Sequence, residues 1–361
     1  MLVSFKQDNM LMLGAWFGVE KKPDFRVFLK PLAAQMNKLR IPFQVETPSG
    51  AVQASFRLLT KTADNPAKED IINYLSTTCG ICQQAPVFVA NVNGVATIPT
   101  FPKLEQPAVM RTTLNILQDS VAAHQVRAPS HGIKGPVPMI QFQGVDLVLP
   151  LDYQHNFCLR VMAKLLELWF GEANGGKPFS RRDQVRVFDR KMTDTRPPEF
   201  ISRQPQPYSK IKYWKAVEYR NVLLYYGPLV LKGVVTDAQY RHFMLLSAGL
   251  AIFLGQSISP AQRQLAQGML NKFVGEFAAL YGQRFMSKTV HSLLHVEYCV
   301  LKTGPLWATS CFPFESIYHH LLKMIHGTQY VLEQVCSSVF SEKRRAVCEQ
   351  QVHCGGCKCG S

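Results

Sequence analysis

Two short motifs far apart in the chain set the strongest condition on its fold. The first is C-G-I-C, Cys79 to Cys82, whose C-x-x-C spacing supplies half of a tetrahedral metal site. The second is H-S-L-L-H, with His291 and His295 four apart, a spacing that puts both imidazoles on one helix face. Each has a plainer reading: small cysteines pack as buried hydrophobes, and two histidines can simply line a packed helix. Joined, they complete a Cys2His2 set, which is closed and structural in kind. Ser292 stands where H-E-x-x-H needs its glutamate, so the pair is no zinc-hydrolase motif. If the halves share an ion, the fold must return a late helix to an early turn 209 residues away.

With 361 residues and 47% hydrophobic composition, the chain can bury a large core and form one or two domains. Lys and Arg number 40 against 25 Asp and Glu, a formal charge of +15. That balance favours a polyanionic partner, nucleic acid before an acidic membrane; an ordinary basic protein is the alternative. The most apolar run, Phe243 to Gly255, is too short to span a bilayer, so no membrane role is expected. The first residues show no basic segment followed by a clean apolar one, so no signal peptide is read. Ten cysteines without such a signal suggest reduced thiols or metal ligands, not a disulfide scaffold.

The periodicity predicts mixed α/β structure first and helices later. M-L-M-L-G-A-W-F-G-V (residues 10 to 19) reads as a buried strand, and Asp24 to Arg40 as a helix with Phe28, Leu32 and Met36 on one face. Residues 52 to 64 read as a strand ending at Asp64, followed by a helix from Asn65. Residues 94 to 142 are rich in Pro and Gly and show no period. A short strand-like run from Val145 leads into an amphipathic helix ending near Phe170. Three helical patterns then follow, two with Thr236 and Ser259 as N-caps. The domains expected are an α/β core over 1–155, a helical insertion over 156–285 with a basic loop at 172–215, returning helices over 286–330, and a disordered Cys-rich tail over 331–361.

Several segments carry a resemblance: L-G-A-W-F-G, F-L-K-P-L-A-A-Q-M-N-K-L, F-R-L-L-T-K-T-A-D-N-P-A-K, C-G-I-C, L-P-L-D-Y-Q-H-N-F-C-L-R-V-M-A-K-L-L-E-L-W-F, Y-W-K-A-V-E-Y-R-N-V-L-L-Y-Y-G-P-L-V-L-K-G, and V-H-S-L-L-H followed by G-P-L-W-A-T-S-C-F-P-F-E-S. In this order, across residues 11 to 325, they resemble the transposase domain of animal CACTA-type (En/Spm-like) DNA transposons. The resemblance implies an α+β fold: an RNase H-like core, here incomplete, interrupted by a large all-helical insertion and followed by C-terminal helices. It implies a DDE-type strand transferase that cuts and joins DNA at transposon ends, nuclear localisation, and leaves a homodimer open.

Such chemistry is in-line displacement at phosphorus with two Mg²⁺ ions held by convergent carboxylates. The resemblance assigns two of them, Asp64 and Glu315. The plainer reading of Asp64 is a helix N-cap ahead of Pro66, and that of Glu315 a first-turn acid favoured by the helix dipole. Trp307, Phe312 and Phe314 predict partial burial for Glu315. The family's first Asp precedes the L-G-A-W-F-G strand and has no counterpart here, Asp8 matching a neighbouring position. The chain is therefore expected to be an N-terminally truncated, impaired transposase; the alternative is a non-enzymatic DNA-binding or protein-interaction module with a structural zinc. Within the resemblance, Cys79, Cys82, His291 and His295 hold Zn²⁺, clip the insertion onto the core and keep the Glu315 helix near Asp64. Asp152 and His155 form D-x-x-H, either as a helix cap with a first-turn histidine or as auxiliary groups orienting a phosphate or water.

Between residues 172 and 215, 11 Lys and Arg face 5 Asp and Glu. Arg181, Arg182, Arg186, Arg190 and Lys191, with Tyr208, Tyr213 and Trp214 interleaved, suit DNA phosphates; a solvated loop is the alternative. Cys348, His353, Cys354, Cys357 and Cys359 in the tail are assigned no role.

Overall fold

A computed structural model describes residues 23–55, 58, 61–90, 97–199, 201, 203–331, 333–339 and 341. The strand expected over residues 10 to 19, Asp8 and the cysteines after 341 lie outside the described residues. The chain divides into two compact units: Met36–Cys311, and the terminal segments Met1–Gln35 with Phe312–Ser361.

The helix expected from Asp24 forms as a turn, Phe25–Phe28, and a helix α1, Lys30–Lys38. Pro31 has no amide to donate back to the preceding turn, which accounts for the break. Strands β1 (Phe43–Thr47) and β2 (Gly50–Ala54) pair antiparallel, Thr47 opposite Gly50. Gly50 turns the chain at φ +116°, a backbone region open to glycine. The strand expected to reach Asp64 ends instead at Ala54, and residues 61–64 lie in no strand. Asp64 starts α2 (Asn65–Ile71), its carboxylate accepting from Ala67 N at 2.9 Å, with Pro66 in the first turn. Strands β3 (Val87–Ala90) and β4 (Thr97–Thr100) form a second antiparallel pair.

Helix α3 (Thr113–Val126) falls in the stretch that showed no period. Its buried stripe is narrow and includes a charge, Ile116, Asp119 and Ala123, while Leu114, Val121 and Val126 face solvent. Helix α4 runs as a wide π-helical stretch, Gln154–Met162, and then as α-helix, Ala163–Phe170. It is amphipathic as expected, with a wide apolar face: Phe157, Cys158, Val161, Met162, Leu165, Leu166, Leu168, Trp169 and Phe170 are buried, while Arg160, Lys164 and Glu167 form a narrow polar stripe toward solvent. No strand precedes it among the described residues from 143 to 152.

Helices α5 (Val185–Asp194), α6 (Ala216–Asn221), α7 (Asp237–Phe253) and α8 (Pro260–Tyr281) follow. Thr236 and Ser259 cap α7 and α8 as expected, each in a reciprocal box with the glutamine three residues on. Gly249 lets α7 and α8 approach: a Cβ there would meet Leu270 Cδ2 at 3.0 Å and Ala266 O at 3.2 Å. His242 stacks on Phe273 across this hairpin, ring centroids 4.0 Å apart, and Trp169 Nε1 donates to Tyr281 Oη at 3.2 Å. Short helices α9 (Lys288–Ser292) and α10 (Val296–Thr303) bring the chain back, α9 and α6 packing on α4. The terminal unit holds α11 (Phe312–Lys323). The fold is α+β and mostly helical, with two separate two-stranded antiparallel sheets among the described residues. No helix among them is long and apolar enough to cross a membrane.

Candidate metal centre

The early turn and the late histidines meet. One ligand atom each from Cys79, Cys82, His291 and His295 lies within 4.8 Å of every other, and all four residues are buried. Cys82 Sγ is 3.2 Å from His291 Nε2, which is 3.0 Å from His295 Nε2. Tetrahedral zinc with ordinary bond lengths spaces S and N by about 3.5 Å and N and N by about 3.3 Å. The cluster is thus a few tenths of an ångström tighter than an ion needs. Two thiol sulfurs and two imidazole nitrogens converge on one point, and this donor set fits a structural metal ion such as zinc.

The histidines do not sit on one unbroken helix. α9 ends at Ser292, a 3₁₀ turn covers Leu293–His295, and α10 starts at Val296. Gln267 of α8 supports the break, donating from Nε2 to Leu293 O at 3.1 Å and accepting from Glu297 N at 2.9 Å. The tightened turn still faces the two rings, their centroids 4.7 Å apart. His291 also stacks on Phe101 at 5.1 Å. Its Nδ1 is buried without a hydrogen-bond partner, so among the described residues ring packing positions this imidazole.

Arg111 shapes the cysteine turn, and nothing in the sequence singled it out. It is 2% exposed. Its Nε donates to Cys79 O and Cys82 O, both at 3.0 Å, and Nη2 donates to His131 O at 2.6 Å. Asp119 lies 3.7 Å from Nη1 and also accepts from His131 Nδ1 at 2.7 Å. Burial lowers the pKa of Arg111, opposed by Cys79 and Asp119, yet a guanidinium stays charged throughout. Gln84 N donates to Cys82 Sγ at 3.4 Å. Within the turn the proton is shared unequally: the contact with Cys82, then those with His291 and His295, hold Cys79 well below the usual thiol range against burial. The same Cys79 contact, with burial, pushes Cys82 upward. A cavity of about 210 Å³, lined in part by Gln84, Glu105 and Asn271, reaches His291 and His295.

A second cluster holds Asp152, His155 and Cys311. Asp152 is fully buried; His155 Nδ1 donates to its Oδ2 at 2.5 Å. Asp152 also receives three backbone amides, those of Gln154, His155 and Cys311, at 3.2, 2.9 and 2.8 Å. The capping reading of Asp152 therefore holds, and Cys311 is an addition the sequence did not suggest. Nearby Lys68, 4% exposed, donates to Pro150 O at 2.7 Å. Burial lowers its pKa against the pull of Asp152.

Asp64 is half-buried and occupied as a cap. Glu315 stands in the first turn of α11 in the terminal unit and is exposed, with Phe314 49% and Trp307 43% exposed. The partial burial expected from its aromatic neighbours is corrected: Trp307 and Phe314 are exposed themselves, and Phe312 is half-buried. In the basic stretch, Arg182, Arg186 and Arg190 fall at i, i+4 and i+8 and are exposed. Arg182 pairs with Glu172 at 2.7 Å. Arg181 and Lys191 are half-buried, donating to Ser180 O and Lys232 O at 2.6 Å each.

No protein-family model matches the chain, and no curated protein matches it.

Proposed function

We propose that this is a transposase-derived, DNA-binding protein of the nucleus, in which a zinc ion on Cys79, Cys82, His291 and His295 ties a helical insertion to an RNase H-like core. The observation that carries this reading is the convergence of two half-sites 209 residues apart, in the order the CACTA-type resemblance requires. The helices α4 to α8 between them support the insertion. The ancestral chemistry is Mg²⁺-dependent strand transfer at transposon ends, with Asp64 and Glu315 as carboxylate ligands and Asp152 with His155 as auxiliary groups. Two assigned carboxylates are fewer than a two-ion centre takes, so the chain is read as impaired in catalysis and retained for binding.

The exposed stripe Arg182, Arg186 and Arg190 supplies the phosphate contacts. Replacing all three with alanine is expected to reduce the slope of log K against log salt for duplex DNA by about 2 to 3, one phosphate charge each. An unchanged slope removes the stripe from the interface. Supercoiled plasmid incubated with Mg²⁺ is expected to show background nicking alone. Nicking that Asp64→Asn and Glu315→Gln both abolish would replace this reading with a working strand transferase.

A further inference from the structure

The cluster of Asp152, His155 and Cys311 offers one oxygen, one nitrogen and one sulfur within metal-ligand distance of one another. Lone-pair accounting argues against an ion there. A carboxylate has about four acceptor sites, and Asp152 already receives four donors: Gln154 N and Cys311 N on Oδ1, His155 N and His155 Nδ1 on Oδ2. The oxygen is spent on fixing the imidazole. The Cys311 sulfur lies within 4.8 Å of a ring nitrogen of that same imidazole, and Thr62 Oγ1 stands 3.6 Å from the sulfur. Carboxylate, imidazole and thiol are gathered at one place, with Asp152 holding both the His155 ring and the Cys311 backbone. Such an arrangement activates a nucleophile when the imidazole can carry charge beside it.

We propose that Cys311 is an activated thiol, a modification site for small peroxide-class oxidants, with His155 as its positioning and proton-handling partner and Asp152 as the group that fixes His155. The sulfur attacks the near oxygen of hydrogen peroxide, and an S–O bond forms as the O–O bond breaks. The departing hydroxide takes the proton that the thiol gives up, passed through His155, and leaves as water. Sulfur loses two electrons to give a sulfenic acid, and peroxide gains them. A cation beside the departing oxygen stabilises the charge that develops on it. The pKa of His155 is raised to about 10, first by Asp152 and then by Cys311, so the imidazole is charged at neutral pH. Access suits a small oxidant: Cys311 is 7% exposed, and the His155 side chain 23%.

The test follows hydrogen peroxide modification of the full chain by dimedone trapping and peptide mass spectrometry, with exposed Cys336 as internal reference. Cys311 is expected to react at least about tenfold faster than Cys336 despite its burial. His155→Gln, checked for fold by circular dichroism, is expected to bring it to or below the Cys336 rate. Slower reaction of Cys311 than of Cys336 in the unsubstituted chain overturns the proposal even if the variant fails to fold. An unchanged Cys311 rate in folded His155→Gln overturns it as well. So does a loss of one bound metal equivalent in Cys311→Ser, which would return the cluster to an ion site.

Discussion

Two clusters in the larger unit are built from nearly the same residue types and differ in one respect. At Cys79, Cys82, His291 and His295, the facing atoms are sulfurs and ring nitrogens with little else to bind. At Asp152, His155 and Cys311, the carboxylate is filled by four donors. The first set is shaped to take a cation. The second has its cation already, as an imidazolium. Cysteine and histidine are common to both; what separates them is the carboxylate of the second and the donors it already holds.

The largest test of this contrast is removal of the ion from the first cluster. Cys79→Ser with Cys82→Ser is expected to abolish zinc content and lower the melting temperature by more than about 10 °C, since structural zinc contributes binding free energy on the order of 10 kcal/mol. Zinc content unchanged in that variant would break the comparison at its root. Next comes Arg111→Ala, which strands the carbonyls of Cys79 and Cys82 and leaves Asp119 buried beside an emptied position. A cost of about 3 to 5 kcal/mol in denaturant unfolding is expected; a loss under about 1 kcal/mol would show that the turn holds itself.

The smallest effect belongs to the second cluster and appears in pH dependence. His155 binds its proton more tightly folded than unfolded. Its contribution is therefore full below about pH 6.5, the unfolded value, and is lost as pH rises through about 10. Allowing for water at its exposed edge, about 1 to 3 kcal/mol is at stake. The difference in unfolding free energy between the unsubstituted chain and His155→Gln is expected to shrink over that window. A constant difference across it would mean that the ion pair with Asp152 contributes nothing.

The sequence made some of this legible and hid the rest for identifiable reasons. C-x-x-C and the paired histidines have fixed spacings, so both half-sites could be read. Thr236 and Ser259 could be read as caps because each precedes a long apolar helix. Arg111 could not be, since a lone arginine in a proline-rich stretch looks like surface until its partners are known to be backbone carbonyls. Helix α3 escaped because its buried stripe carries Asp119 where an amphipathic helix ordinarily has an apolar residue. Cys311 was visible only as a cysteine; its link to Asp152 runs through a backbone amide, which no side-chain pattern encodes. Asp64 shows the limit from the other side, since its capping bond is what the plainer reading of D-N-P predicts.

The Arg111 crosspiece has a consequence for the order of assembly. Since the guanidinium grips both cysteine carbonyls, the loop can take its shape before any metal arrives. A metal ion bound there would then act as a latch between two finished halves and not as the seed around which they form. Chelation should unfasten the histidine arm while far-ultraviolet circular dichroism stays nearly constant, with the change confined to the near-ultraviolet signals of the aromatic residues packed about the junction.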